Sequence, residues 1–145
     1  MRDQVRKGII KRILAILISM GIPIFINPPT FGADWKFLQK NEKGEFFYDA
    51  ENMVISSEQT IGVWLKVVYS VTFKEQEGLK DLQEAVGFWE IRCKEREIRL
   101  LLLSHVSEEK GEEVPSPPRV FQTPDWEPIA PDTILNELHG IVCKQ

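Results

Sequence analysis

The sequence contains few of the side chains that usually build metal and catalytic centres. It has two cysteines, Cys93 and Cys143, and two histidines, His105 and His139, among 145 residues. Neither a Cys-x-x-Cys nor a His-x-x-x-His spacing is present, so the ligand patterns of common zinc sites are missing. A cysteine nucleophile activated by a histidine would need a third, orienting partner at a recognisable spacing, and the sequence supplies none. We therefore expect no metal, no cofactor and no catalytic residues.

Basic residues are scarce beyond the first 33 positions. Those positions carry five basic residues and one acidic residue, a net charge of +4. The remainder carries 13 basic and 21 acidic residues, a net charge of −8. Because an acidic domain without a basic stripe repels phosphate backbones, nucleic-acid binding is not expected.

No apolar run reaches the roughly 20 residues that span a bilayer comfortably. The N-terminal apolar run, 13–22, is followed by Pro23 and preceded by four basic residues between positions 6 and 12. A polar, proline-broken stretch ending in small residues comes next, which is the order of a secretory signal peptide. Residues 1–33 are therefore predicted to be a signal peptide and 34–145 the mature domain, periplasmic, secreted or on the surface of a bacterium. An uncleaved N-terminal anchor is the alternative; otherwise only the signal segment meets a membrane, before cleavage.

Export to an oxidising compartment changes the expected state of the two cysteines from free thiols to a disulfide. In an oxidising compartment a chain with two cysteines and no others is expected to join them. A Cys93–Cys143 disulfide would close a loop of about 50 residues, which the chain-entropy model values at about 4 kcal/mol. The alternative is a reactive thiol beside His105 or His139.

The mature chain is dominated by strand patterns. Residues 60–70 are rich in β-branched and aromatic side chains, and both alternating faces are partly apolar, which favours a central strand or a covered sheet. Other strands and extended pieces are predicted at 35–38, 45–49, 53–55, 88–93, 98–106, 119–121 and 126–131. The fold class is therefore α+β, with an antiparallel sheet of about five to six strands.

Two helices complete the predicted fold. Leu79, Leu82, Ala85 and Val86 recur at helical spacing, which predicts an internal helix over 74–86 that ends at Gly87. A C-terminal helix over 133–142, capped by Asp132, is predicted to pack on the sheet. Between the last long strand and the proline-rich linker, residues 107–113 are predicted to form an acidic, solvated turn.

The aromatic residues are the candidate binding groups. Four tryptophans are spread along the mature chain at positions 35, 64, 89 and 126. Their strand spacing favours packing in the core or on a sheet face, and a platform for sugars is the alternative. The side chains selected as candidate exposed aromatics are Phe46, Tyr48, Trp64 and Trp89.

The order of several short motifs resembles one family. After the export signal come a Trp-Lys-Phe first strand, a second strand ending in Tyr-Asp, the segments 63–66 and 93–96, and a Trp-to-Thr segment, 126–133, that leads into a helix ending in Cys143. In this order the motifs resemble bacterial surface-adhesin protein E-like domains over most of 34–145. The resemblance implies an antiparallel sheet with a C-terminal helix docked on it and tied by the disulfide. Adhesins of this kind bind host extracellular-matrix proteins and plasminogen, and they can dimerise.

The sequence and the resemblance together favour an exported, non-enzymatic binding or structural domain of the cell envelope. Its expected partner is a protein, or a second copy of the chain, that contacts an exposed sheet face or edge. A periplasmic carrier with an apolar pocket of a few hundred Å³ is a second hypothesis. A small hydrolase that uses an acid pair with His105 is a third, and it would require those groups to converge in a cleft.

Overall fold

The fold is organised by one antiparallel sheet. The computed structural model describes residues 33–56 and 59–144. The strands are β1 (Trp35–Lys40), β2 (Gly44–Asp49), β3 (Val54–Ile55), β4 (Thr60–Tyr69), β5 (Leu82–Arg92), β6 (Glu97–Glu109), β7 (Glu112–Pro115), β8 (Arg119–Val120) and β9 (Glu127–Pro128). The helices are α1 (Val71–Gln76) and α2 (Ile134–Val142).

The strands are ordered β1-β2-β4-β5-β6-β7 across the sheet. The short strand β3 pairs with β4, and β8 and β9 both pair with β6. The prediction of an α+β fold with an antiparallel sheet is confirmed, but the strand count of five to six is too low, because the sheet has nine strands among the described residues alone. Three of the nine are two-residue strands in segments for which the sequence predicts only short extended pieces.

One face of the sheet carries the core. Alternate residues of β4, among them Val63 and Leu65, are buried on the side where Leu138 and Val142 of α2 pack. On the same face, Ile91 of β5 pairs with Ile98 of β6, and the two join the same cluster. The buried alternate residues of β4 and the apolar side chains of α2 therefore pack together in a single core layer.

The internal helix is the main error of the sequence prediction. The helix spans Val71–Gln76 instead of 74–86, and the chain from Leu82 onward belongs to β5. A β-bulge explains the misleading pattern, because Gln83 is an extra residue on β5 that shifts the alternation by one position. Gly87 ends no helix; it lies inside β5, where a Cβ atom would stand 2.9 Å from the indole nitrogen of Trp89.

Two further boundaries differ from the prediction. Residues 107–113 are not a long acidic turn, because β6 continues to Glu109 and β7 begins at Glu112. The turn itself is two residues, Lys110 and Gly111, both with the positive φ that a type I′ hairpin turn requires.

The disulfide joins the sheet to the last helix. Cys93 follows β5 directly, Cys143 follows α2, and their Cα atoms are 5.5 Å apart across the bond. The expected tie is therefore present in the structure. The predicted signal peptide, 1–33, lies outside the described residues except for Ala33. Among the described residues, neither helix has the length and hydropathy needed to cross a bilayer.

Candidate binding surface

The face of the sheet opposite α2 carries an unusual number of aromatic side chains. Antiparallel sheets with one packed face normally show polar residues on the other. Here the side chains that alternate with the core residues meet on one surface, which we call the open face. It is defined by Trp35, Phe37, Phe47, Trp64, Lys66 and Phe88.

The rings of the open face contact one another across strands. Phe37 and Phe47 are directly paired in register and meet edge to face, with ring centroids 5.8 Å apart. Trp64 and Phe88 are also paired, and their centroids are 4.9 Å apart. Gly62 makes room for this second pair, because any side chain there would collide with the Phe88 ring. Aromatic pairs across strands stabilise a sheet, and here they also produce an apolar surface.

Lys66 lies within this aromatic surface. Its Nζ atom is 4.6 Å from the centroid of the Trp35 ring and 5.4 Å from that of Phe47, so the ammonium group makes cation–π contacts with both rings. Within residues 33–56 and 59–144, no carboxylate lies within salt-bridge distance of it. The open face therefore combines apolar area with one positive charge that has only aromatic partners there.

Charges at the β6 border of the open face are arranged differently. The ring of Trp126 is contacted by the guanidinium groups of Arg92 and Arg99, at 4.0 and 4.3 Å from its centroid. Arg99 is paired with Glu90 at 2.6 Å, and Arg92 with Glu97 at 3.3 Å. This border is charge-balanced, and its side chains already satisfy one another.

The face that carries the core has a groove beside the start of α2. It has a volume of about 580 Å³. Its apolar lining comes from β2, β4, β5 and α2, namely Phe46, Leu65, Val67, Trp89, Ile134 and Leu135. Lys43 and Asp132 stand among its polar lining residues. Tyr69 also lines it, and burial raises the pKa of that phenol.

The structure separates the four aromatic residues selected from the sequence. Trp64 belongs to the open face, whereas Phe46 and Trp89 line the groove on the other side. Tyr48 packs against the core. Of the other members of the open face, the sequence offers Trp35 only through the alternative of a sugar platform and does not single out Phe37, Phe47, Lys66 or Phe88. The apolar residues on both faces of 60–70 do indicate that this strand has two apolar sides.

The surroundings of the disulfide are built for packing. His139 is 9% exposed; its Nε2 atom donates to the carbonyl of Cys93 at 3.0 Å. Its Nδ1 atom accepts from Arg96 at 3.4 Å, and Arg96 also donates to Asn136 at 2.6 Å. His105 is exposed on β6, away from this network. Because Cys93 and Cys143 are bonded to each other, neither carries the free thiol that the alternative of a reactive thiol beside a histidine requires.

The described part of the chain shows no metal-binding group of three or more His, Cys, Asp or Glu side chains.

Comparison with known families decides the relationship. A family model described as surface-adhesin protein E matches residues 35–144. The chain belongs to the surface-adhesin protein E family. The resemblance seen in the motif order is thus confirmed, and the match covers the whole described sheet, the last helix and the disulfide.

Solved structures of a protein E have the same fold as this surface-adhesin protein E domain. Crystal form II of Haemophilus influenzae protein E aligns with a TM-score of 0.55 at 16% identity, covering 81% of this chain and 93% of that one. Another structure of H. influenzae protein E aligns with a TM-score of 0.53 at 19% identity, covering 81% and 89%. Identities this low establish the fold alone. No curated protein sequence matches the chain.

Proposed function

We propose that this surface-adhesin protein E domain is an exported, non-enzymatic binding domain of the cell envelope that engages a protein partner through its open face. The observation that carries the proposal is the aromatic surface of β1, β2, β4 and β5 on the side of the sheet away from α2. Family membership supports an adhesin-like role at the cell surface or outside the cell.

The composition of the open face suits a protein interface. Phe37 is 59% exposed even though it sits in a sheet beside other aromatic rings. Exposed apolar patches on single domains commonly mark interaction sites, and aromatic residues dominate the energetically important positions of interfaces. The rings are also held in place by their cross-strand pairs, so little side-chain freedom is lost on binding.

The test replaces one exposed ring and a matched exposed residue elsewhere. Phe37→Ser removes a ring from the open face, whereas Val71→Ser removes a similarly exposed apolar side chain from α1. Binding of the purified protein to immobilised extracellular-matrix proteins is measured by surface plasmon resonance. We expect Phe37→Ser to weaken binding about tenfold or more, because interface aromatics are frequent hot spots, and Val71→Ser to leave it unchanged. Equal affinities for the two variants, with melting temperatures preserved, would contradict the proposal.

The groove supports a second candidate function, a carrier of a small apolar molecule. Its volume lies in the range of ligand pockets, and its lining is largely apolar with a few polar groups. Mass spectrometry of organic extracts from the purified protein tests this idea. A molecule recovered in stoichiometric amount from the wild type, and lost from Leu135→Arg, would support it. An extract without such a molecule from a folded wild type would argue against it.

A further inference from the structure

Lys66 differs from the other strand cations on the side of the sheet away from α2. Lys40 is paired with Glu45 at 2.9 Å, and both arginines at the β6 border have glutamate partners. Lys66 instead stands in a cross-strand row with Phe37, Phe47 and Val86. The row runs across four strands, and Lys66 is its one charged member.

The two acids of β2 on the same face of the sheet are already occupied, and the first of them, Glu45, is the partner of Lys40. Asp49, paired with Trp35 in register, is 2% exposed and accepts hydrogen bonds from the backbone N–H groups of Glu51 and Asn52 and from the Asn52 side chain. Its two oxygens hold the turn after β2. The aromatic rings cannot accept hydrogen bonds from the Lys66 ammonium group as a carboxylate would. Its N–H donors therefore stay available to a partner.

Any partner that covers the open face must also cover Lys66. Removing water from an ammonium group without giving it an anion is costly, and such a group acts against partners that lack a matching charge. A carboxylate placed over Lys66 would restore the pairing and fix the register of the complex. A symmetric second copy centred on this residue would instead bring two ammonium groups together.

We infer that the partner presents an aspartate or glutamate flanked by apolar side chains, with the carboxylate pairing with Lys66 and the apolar groups packing on the rings of Trp35, Phe37 and Phe47. This inference rests on the proposed function, because it names the chemistry of the partner at the same surface. The charge of Lys66 then determines which apolar segments bind.

The test uses a random dodecapeptide library displayed on phage as the probe. The full chain is exported to an oxidising periplasm, purified and immobilised as the wild type, Lys66→Glu or Lys66→Met. Methionine retains the apolar stem and suits the two rings, so that variant is expected to fold. Lys40→Met is the matched control, since it removes a lysine from the neighbouring part of the sheet. We expect the wild type and Lys40→Met to enrich peptides with an acidic residue between apolar residues, and Lys66→Glu to enrich basic ones.

A synthetic peptide of the enriched sequence then distinguishes a failure of the inferred charge pairing from a failure of the proposed function. We expect Lys66→Met to weaken its binding about tenfold or more, and Phe37→Ser to weaken it as well. If Phe37→Ser weakens binding and Lys66→Met does not, the open face binds but the inferred charge pairing is wrong. If neither variant has an effect, both the inference and the proposed function fail. A dimer in sedimentation that Phe37→Ser dissociates and Lys66→Met strengthens would make a second copy the occupant and overturn the inference.

Discussion

At the scale of single residues, Asp49 shows how a buried charge can be stabilising. Burial alone would raise the pKa of its carboxyl group, but hydrogen bonds from Asn52 and from backbone N–H groups outweigh that effect, and the pKa lies below its ordinary value. The contacts measure 2.7 Å to the Asn52 side chain and 3.0 Å to the Glu51 amide. The charged form of Asp49 is therefore the form that the folded protein favours.

Replacing Asp49 by asparagine should make stability less dependent on pH. The folded pKa is lower than the unfolded one, so the aspartate contributes stability that is complete above about pH 4 and is lost as the pH falls through the folded pKa. We expect Asp49→Asn to lower the free energy of unfolding by about 1–2 kcal/mol at pH 7, with a smaller difference near pH 3. Urea titrations at both values, with Glu51→Gln as control, measure this. A difference in the free energy of unfolding between wild type and Asp49→Asn that is the same at both pH values would contradict a lowered pKa for Asp49 in the folded protein.

At the scale of elements, the start of α2 depends on one hydroxyl group. Thr133 is the N-cap; its Oγ1 atom accepts from the Asn136 amide at 3.2 Å and donates to the Ala130 carbonyl at 2.8 Å. The sequence predicts Asp132 for this role, which is wrong by one residue. Asp132 has a positive φ of 58°, outside the extended conformation of an N-cap.

The two neighbours should consequently differ in their contribution to stability. We expect Thr133→Ala to cost about 1 kcal/mol, because it removes the cap, and Asp132→Asn to change stability by less than about 0.5 kcal/mol, because asparagine tolerates positive φ. Thermal unfolding followed by circular dichroism compares them. A larger loss for Asp132→Asn than for Thr133→Ala would place the cap at the predicted residue after all.

The sequence predicts whole strands well where the period of two is unbroken, and fails where a bulge breaks it. The segment 60–70 has regular alternation and becomes β4 nearly as predicted. The bulge at Gln83 breaks the alternation at the start of β5, so the sequence does not predict a strand there. A second bulge accommodates Leu101, an extra residue of β6, so that Leu100 and Leu102 pair with Trp89 and Phe88 on opposite faces. The four-leucine run thus serves both sides of the sheet.

The candidate surface was harder to predict than the strands because it depends on register. Phe37, Phe47 and Lys66 are neighbours only because the pairing of β1 with β2 and of β2 with β4 aligns them. Nothing in the local sequence of any one strand contains that alignment. The aromatic residues predicted from the sequence therefore include Trp64 of the open face together with residues of the opposite face.

At the scale of the whole molecule, the disulfide couples the last helix to the middle of the sheet. It closes a loop of 50 residues that includes β6 to β9 and α2. Closing such a loop removes conformational entropy from the unfolded chain. The tie thus stabilises the docking of α2, whose apolar side chains complete the core.

Reduction should therefore be strongly destabilising. We expect a loss on the order of 4 kcal/mol in the free energy of unfolding, visible as a lower melting temperature in the presence of reductant. Thiol titration of the unfolded protein should find no free thiol before reduction and two after it. The Cys93→Ser/Cys143→Ser double variant is the control, because reductant should not change its melting temperature. An identical melting temperature with and without reductant in the wild type would contradict this account.

The strands at the two ends of the main strand order, β1 and β7, have a consequence for how the protein behaves at high concentration. Exposed strand edges can template fibrils, because their unpaired backbone N–H and C=O groups can form hydrogen bonds with strands of other molecules. On β7, Glu112, Glu113 and Pro115 oppose such growth, by charge and by a missing amide hydrogen. On β1, Leu38 forms a bulge between two lysines. The sheet can therefore expose aromatic side chains on one face and still resist edge-to-edge strand pairing that would lead to filaments.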